Sequence, residues 1–176
     1  ISLTIRVPVG SFFWLVDALR GRAARGDPAI PEGFEAAVAG IFEWVTQMEG
    51  SVPNHFYVEL NFPVFFTAKL GATKVLWEEG ELSMEEIQQI GILVSQANGC
   101  PYCTAAFCTI LNHGLNQPEE EVGHLLESGV GAVDEPRTKA LLEYALKVNA
   151  DAKSVSDADV QGLRDAGLTD LGIVQI

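Results

Sequence analysis

With 176 residues, 48% of them apolar, the chain can bury a sizeable core without staples, which excludes a disordered protein. Its 11 Lys and Arg are scattered among 24 Asp and Glu, for a formal net charge of −13. That balance excludes a nucleic-acid backbone as partner and disfavours an anionic membrane surface, and no apolar run reaches the roughly 20 residues a membrane span needs. Residues 1–8, ISLTIRVP, alternate and predict extended chain. Residues 11–20 predict a short helix, without the basic flank or cleavage site of a leader, and RGRAARGDP predicts a polar loop. Residues 1–30 are thus expected to form an N-terminal extension to a single all-helical domain over 1–176.

From Pro31, the apolar residues Phe34, Val38, Ile41, Val45 and Met48 form a helical stripe that stops at Gly50. SVPN then turns the chain. A helix over about 63–79 carries Phe66, Leu70, Val75 and Leu76. The aromatic residues Phe42, Trp44, Phe62, Phe65, Phe66 and Trp77 are expected mostly in the core, some at a subunit interface or an apolar pocket. The next helix follows Ser83, with Glu86 three residues on as a capping box, and closes at Asn98-Gly99. Another starts at the Cys-x-x-Cys and runs to about His113. Asn116 and Pro118 open a helix that stops at Gly129; residues 81–129 are the core around the cysteine pair. Asp134 and Pro136 open one more, Ser156 and Asp159 cap the next, and a last helix begins near Thr169 and is still apolar at Ile176, where its truncation is expected. No βαβ alternation is present, so the fold class is all-α, a helical bundle.

The chemistry concentrates in QANGCPYCTAAF, residues 96–107. Pro101 suits only a first helical turn, which puts Cys100 at the N-cap and Cys103 at the third helical position. Both sulfurs then lie near unpaired N–H groups and the positive end of the helix dipole, where thiolate is favoured. The spacing lets a disulfide close and reopen. Two cysteines as small core residues remain the plain alternative. A zinc site needs about four ligands. Cys108 and His113 follow the pair, but no second Cys-x-x-Cys or His pair completes a set, so neither metal nor cofactor is expected. CPYC matches a glutaredoxin tetrapeptide, yet residues 84–97 have helical spacing where that fold needs a strand. One close pair plus one extra cysteine suits a reducing compartment, and a cytoplasmic location is expected.

The stretch ELSMEEIQQIGILVSQANGCPYCTAAF resembles the alkyl hydroperoxidase D-like proteins of the carboxymuconolactone decarboxylase superfamily. The VPN turn and AGLTDLGIVQI resemble its peroxidase-related branch, and the likeness spans roughly 32–176. It implies an all-helical homo-oligomer that reduces peroxides or disulfides and is recharged by a thiol reductant. It also implies that Cys103 attacks the peroxide and Cys100 resolves the sulfenic acid. The family motif places a Glu twelve residues before the first cysteine and a His four after the second, as a proton relay. This chain has Gln88 and Phe107 at those positions, and neither accepts a proton. A general base is typically worth about 10²–10⁴-fold in rate, so a weak peroxidase is expected. The alternative is an inactive member, an oligomer that binds a small ligand or a partner. Glu85, Glu86, His55, His113 and His124 are the other candidate proton carriers, and surface or structural roles are their default. Cys108 is expected to be a buried small residue, with a second resolving thiol as its other reading. Tyr102 could donate a hydrogen bond or simply pack.

Overall fold

A computed structural model describes residue 30 and residues 32–176; the expected strand, helix and loop before residue 30, and Pro31, lie outside them. The described residues are all-helical, with no strand. None of their helices is long and apolar enough to cross a membrane. The chain divides into two compact units, Ile1–Lys74 and Val75–Ile176.

In the first unit, α1 (Glu35–Glu49) ends on Gly50 in the left-handed region (φ 76°), whose N–H caps Thr46 O. After the VPN turn the chain forms α2 (Asn54–Glu59), a six-residue helix whose N-cap is Pro53. The sequence pattern shows only a turn there, because six residues are too few to display a period. Phe42, Tyr57, Phe56 and Phe66 meet edge to face, with centroids 5.3–6.3 Å apart. Phe66 and Trp44 are buried as expected, and Phe56 is buried with them, whereas Phe62 and Phe65 are more than half exposed. Lys69 pairs with Glu59 and lies 5.8 Å over the Phe56 ring; Lys74 lies 5.2 Å over Trp44.

Burial pushes the Glu49 carboxyl up to about 7 from an ordinary 4.5. The folded chain therefore holds this proton over a window in which the unfolded chain has lost it. Stability is expected to fall as pH rises from about 4.5 to 7 and to level off above. Glu49→Gln should flatten that slope, read as urea midpoints at pH 5 and pH 7.5. Equal slopes in parent and variant would show that Glu49 does not contribute.

Helix α3 (Pro63–Glu78) carries the chain into the second unit. There α4 (Met84–Ala97) begins at Ser83, whose side chain and that of Glu86 form the expected reciprocal capping box. Helix α5 (Pro101–Thr109) follows, then a π turn over Ile110–Gly114. Helix α6 (Glu119–Ser128) stops at Gly129. Helix α7 (Pro136–Asp151) is capped by Glu135 rather than by Asp134: its carboxylate accepts the N–H groups of Arg137 and Thr138. Pro136 is the first helical residue, so the residue before it must be the cap. Helices α8 (Asp157–Asp165) and α9 (Asp170–Gln175) complete the unit, α8 opening with the Ser156–Asp159 box. Leu82, Ile92, Leu93, Leu111, Val122, Leu125, Leu141, Leu142, Leu163 and Leu168 form one core.

Candidate active site

Helix α4 ends at Asn98, and Gly99 reverses the chain at φ 63°. A Cβ at Gly99 would meet nothing within 4 Å, so backbone conformation rather than space selects glycine. The Cys100 N–H donates to Ser95 O (2.9 Å), which ties the turn back to α4. Cys100 is the N-cap of α5 and Pro101 its first residue, as the sequence predicts. The Cys103 N–H donates to Cys100 Sγ at 3.3 Å, and the Thr104 hydroxyl donates to Cys100 O at 3.0 Å. The two sulfurs are joined as a disulfide, with Cα atoms 5.4 Å apart. Cys100 and Cys103 are each partly exposed, and Gln96 to Gly99 are exposed beside them. A dithiol placed so, at a helix start open to solvent, has the features that favour thiolate.

The two altered relay positions lie on the two helices that flank the turn, Gln88 on α4 and Phe107 on α5. Phe107 follows Cys103 by one helical turn, and its ring is seated on Gly91 of α4. A Cβ at Gly91 would fall 2.6–2.7 Å from three ring atoms, so only glycine admits this contact. Gln88, one turn before Gly91, is fully buried. Neither its amide N nor its amide O has a hydrogen-bond partner among the described residues. A buried amide left unpaired costs about 1–3 kcal/mol. Gly91 was not singled out from sequence. Its signal was a glycine within an otherwise apolar helix pattern, which often marks close approach.

Nearby acids do not take over the relay. Glu86 is buried, but its carboxylate is held by the Arg137 guanidinium, the Thr138 hydroxyl (3.3 Å) and the Ser83 N–H (2.8 Å). Glu85 is exposed and accepts from Gln89 Nε2 (3.2 Å). Glu85 and Gln89, with Glu121, His124 and Asp134, line an open cavity of about 650 Å³ whose floor includes Leu111 and Val122. Neither cysteine lines it. His113 is exposed on the π turn, and His124 shares a hydrogen bond with Ser128 Oγ (3.2 Å) on α6. His55 belongs to the first unit, where burial, ahead of the opposing charges of Glu59 and Lys69, holds its pKa below the ordinary value. Cys108 is half-buried against the second-unit core, and burial pushes its thiol up to about 11. That rules it poor as a resolving thiolate at neutral pH. Tyr102 is half-buried between the two cysteines.

The sequence pattern described as the carboxymuconolactone decarboxylase family matches residues 65–147, a span that contains α4, the disulfide and most of α7. Over residues 65–147 the chain is similar to the carboxymuconolactone decarboxylase family. Two solved structures share the fold. One is the alkylhydroperoxidase AhpD core of an uncharacterized peroxidase-related protein from Ralstonia eutropha, 28% identical, with a TM-score of 0.66 over 97% of this chain and 80% of that one. The other is an uncharacterized peroxidase-related protein from Silicibacter, 22% identical, with a TM-score of 0.68 over 85% of this chain and 79% of that one. No curated protein matches by sequence. The fold likeness, which spans nearly the whole chain, agrees with the all-α, alkyl hydroperoxidase D-like architecture expected from the motif.

Proposed function

We propose that the chain is a dithiol oxidoreductase of the alkyl hydroperoxidase D-like kind, slow toward peroxides, in which Cys100 and Cys103 cycle between dithiol and disulfide. The observation that carries this reading is the closed pair at the solvent-facing start of α5. On a hydroperoxide, the Cys103 thiolate attacks oxygen and the O–O bond breaks. An alcohol leaves with a proton from solvent, and Cys103 becomes a sulfenic acid. Cys100 then attacks that sulfur, water leaves, and the disulfide closes. Two electrons have passed from the dithiol to the peroxide, and an external thiol reductant returns them. Gln88 and Phe107 supply no base for the first step, so its rate rests on the helix N-terminus alone. The reading carries with it a cytoplasmic location and a homo-oligomer, the latter supported by the exposed Phe62, Val64 and Phe65 at the start of α3.

A second reading, a binding protein without turnover, draws on the 650 Å³ cavity that excludes the cysteines. Fully reduced protein mixed with a small excess of organic hydroperoxide separates the two. Peroxide and free thiols are expected to disappear together, in a reaction abolished by Cys103→Ser. Loss no faster than for an ordinary exposed thiol would sink the peroxidase reading and advance the binding one.

A further inference from the structure

The geometry points to Cys100, not Cys103, as the sulfur of this pair that attacks disulfide substrates, with Cys103 as the resolving thiol. This inference rests on the redox cycling proposed above and reverses the order assigned to peroxide. Three observations carry it. The backbone donor at the start of α5 is spent on Cys100: its Sγ accepts the Cys103 N–H at 3.3 Å. Cys103 itself lies one turn into the helix, followed by buried Thr104 and, a turn later, by the Phe107 ring seated on Gly91. The relay that would activate Cys103 is absent, since Gln88 and Phe107 occupy its positions.

Access points the same way. Cys100 is flanked by exposed Gln96, Ala97, Asn98 and Gly99, and a side chain at Gly99 would meet open space. Asn98 and Asn149 exchange side-chain hydrogen bonds (3.0 and 3.1 Å), which brings the exposed end of α7 beside the turn. A disulfide can approach Cys100 from the side of these exposed residues.

The steps balance. The Cys100 thiolate attacks one sulfur of the substrate disulfide, its S–S bond breaks, and one thiolate leaves and is protonated by solvent. Cys100 is then held in a mixed disulfide. Cys103 loses its proton to solvent and attacks Cys100 Sγ, the second substrate thiol leaves, and the Cys100–Cys103 disulfide seen here closes. The substrate gains two electrons and two protons, and the dithiol loses both.

The test compares Cys103→Ser with Cys100→Ser as full chains, using 5,5′-dithiobis(2-nitrobenzoic acid) as the disulfide and released thiolate as the readout from pH 5 to 10. The donor to Cys100 is a backbone N–H, so Cys103→Ser keeps it; serine at position 100 keeps an N-cap. Cys103→Ser is expected to titrate below about 7.5 and Cys100→Ser near the ordinary 8.5. At pH 6.5 a pKa of about 7.5 gives a thiolate gain of about ninefold, which, set against a nucleophilicity loss of about threefold, leaves Cys103→Ser about threefold faster. Equal rates, or a faster and more acidic Cys103, would overturn the inference. Should either variant fail to fold, limiting iodoacetamide on the reduced parent at pH 6.5, followed by peptide mapping, asks the same question: Cys100 must be labelled first. Failure of the parent reading looks different, since the reduced parent would then leave the reagent in mixed disulfides without closing Cys100–Cys103.

Discussion

Gln88→Glu combined with Phe107→His is expected to raise hydroperoxide reduction about 10²–10⁴-fold above the parent, the usual worth of a positioned general base. Helices α4 and α5 form an antiparallel hairpin around Asn98–Cys100, and the Phe107 ring sits on Gly91. Position 107 therefore lies one turn from Cys103 on its own helix and level with the turn after Gln88 on the other. At about 1.5 Å per residue, four residues separate Cys103 from position 107 by about 6 Å along α5, a span an imidazole can bridge. A carboxylate at position 88 would be fully buried, so it needs the imidazole as partner. Gln88→Glu alone is expected to lose stability and gain no rate. Phe107→His alone should gain modestly, because an imidazole without its acid partner is poorly oriented. The check is the second-order rate of peroxide loss in all four proteins. A double variant no faster than the parent would mean that the pair's rate is not limited by proton removal at Cys103.

The second large effect concerns Arg137, which sequence reasoning did not mark. Its guanidinium holds buried Glu86 through one nitrogen and reaches Glu81 Oε1 (3.3 Å) through another. Glu81 in turn accepts from the Thr169 hydroxyl and from the Thr169 and Gly172 N–H groups, and those bonds, Thr169 first, hold its carboxyl below the ordinary range. One cation thus pins the starts of α4 and α7, and through Glu81 the start of α9. Arg137→Met leaves Glu86, only 7% exposed, without its counter-charge. Breaking a buried pair in this way typically costs 3–5 kcal/mol; Arg137 is 27% exposed, so about 3 kcal/mol is expected. Glu86→Gln added to Arg137→Met should recover much of that loss, because a neutral amide can still take the capping role. Urea midpoints of the three proteins decide the matter. An unchanged midpoint for Arg137→Met would mean that the Glu86 carboxylate is solvated in solution.

What was legible in the sequence was local. Ser83 with Glu86, Ser156 with Asp159, and Gly99 before Pro101 each fix a helix end within four residues, and each stands where the pattern puts it. Cys100 as N-cap followed from Pro101 alone. The cap of α7 was one residue off because Asp134 and Glu135 compete, and only the rule that proline takes the first helical position separates them. Helix α2 was too short to show a period. The π turn depends on the Leu115 N–H reaching Ile110 O rather than the carbonyl of the preceding turn, a choice made by packing. Non-local facts were out of reach: which residue of α4 meets Phe107, that Arg137 crosses 51 positions to Glu86, and that the Gln88 amide finds no partner among the described residues.

The ring of Phe107 on Gly91 also sets where protons travel. An aromatic seated on bare backbone presents only hydrocarbon at position 107, and it carries no exchangeable hydrogen. When the disulfide opens, the two protons its thiols take up must come from bulk water on the Asn98–Gly99 side. Neither Gln88 nor Phe107 can buffer the exchange. The redox poise of such a pair follows the acidity of its surroundings directly, so the compartment, rather than the protein, sets the pH at which the dithiol is ready to react.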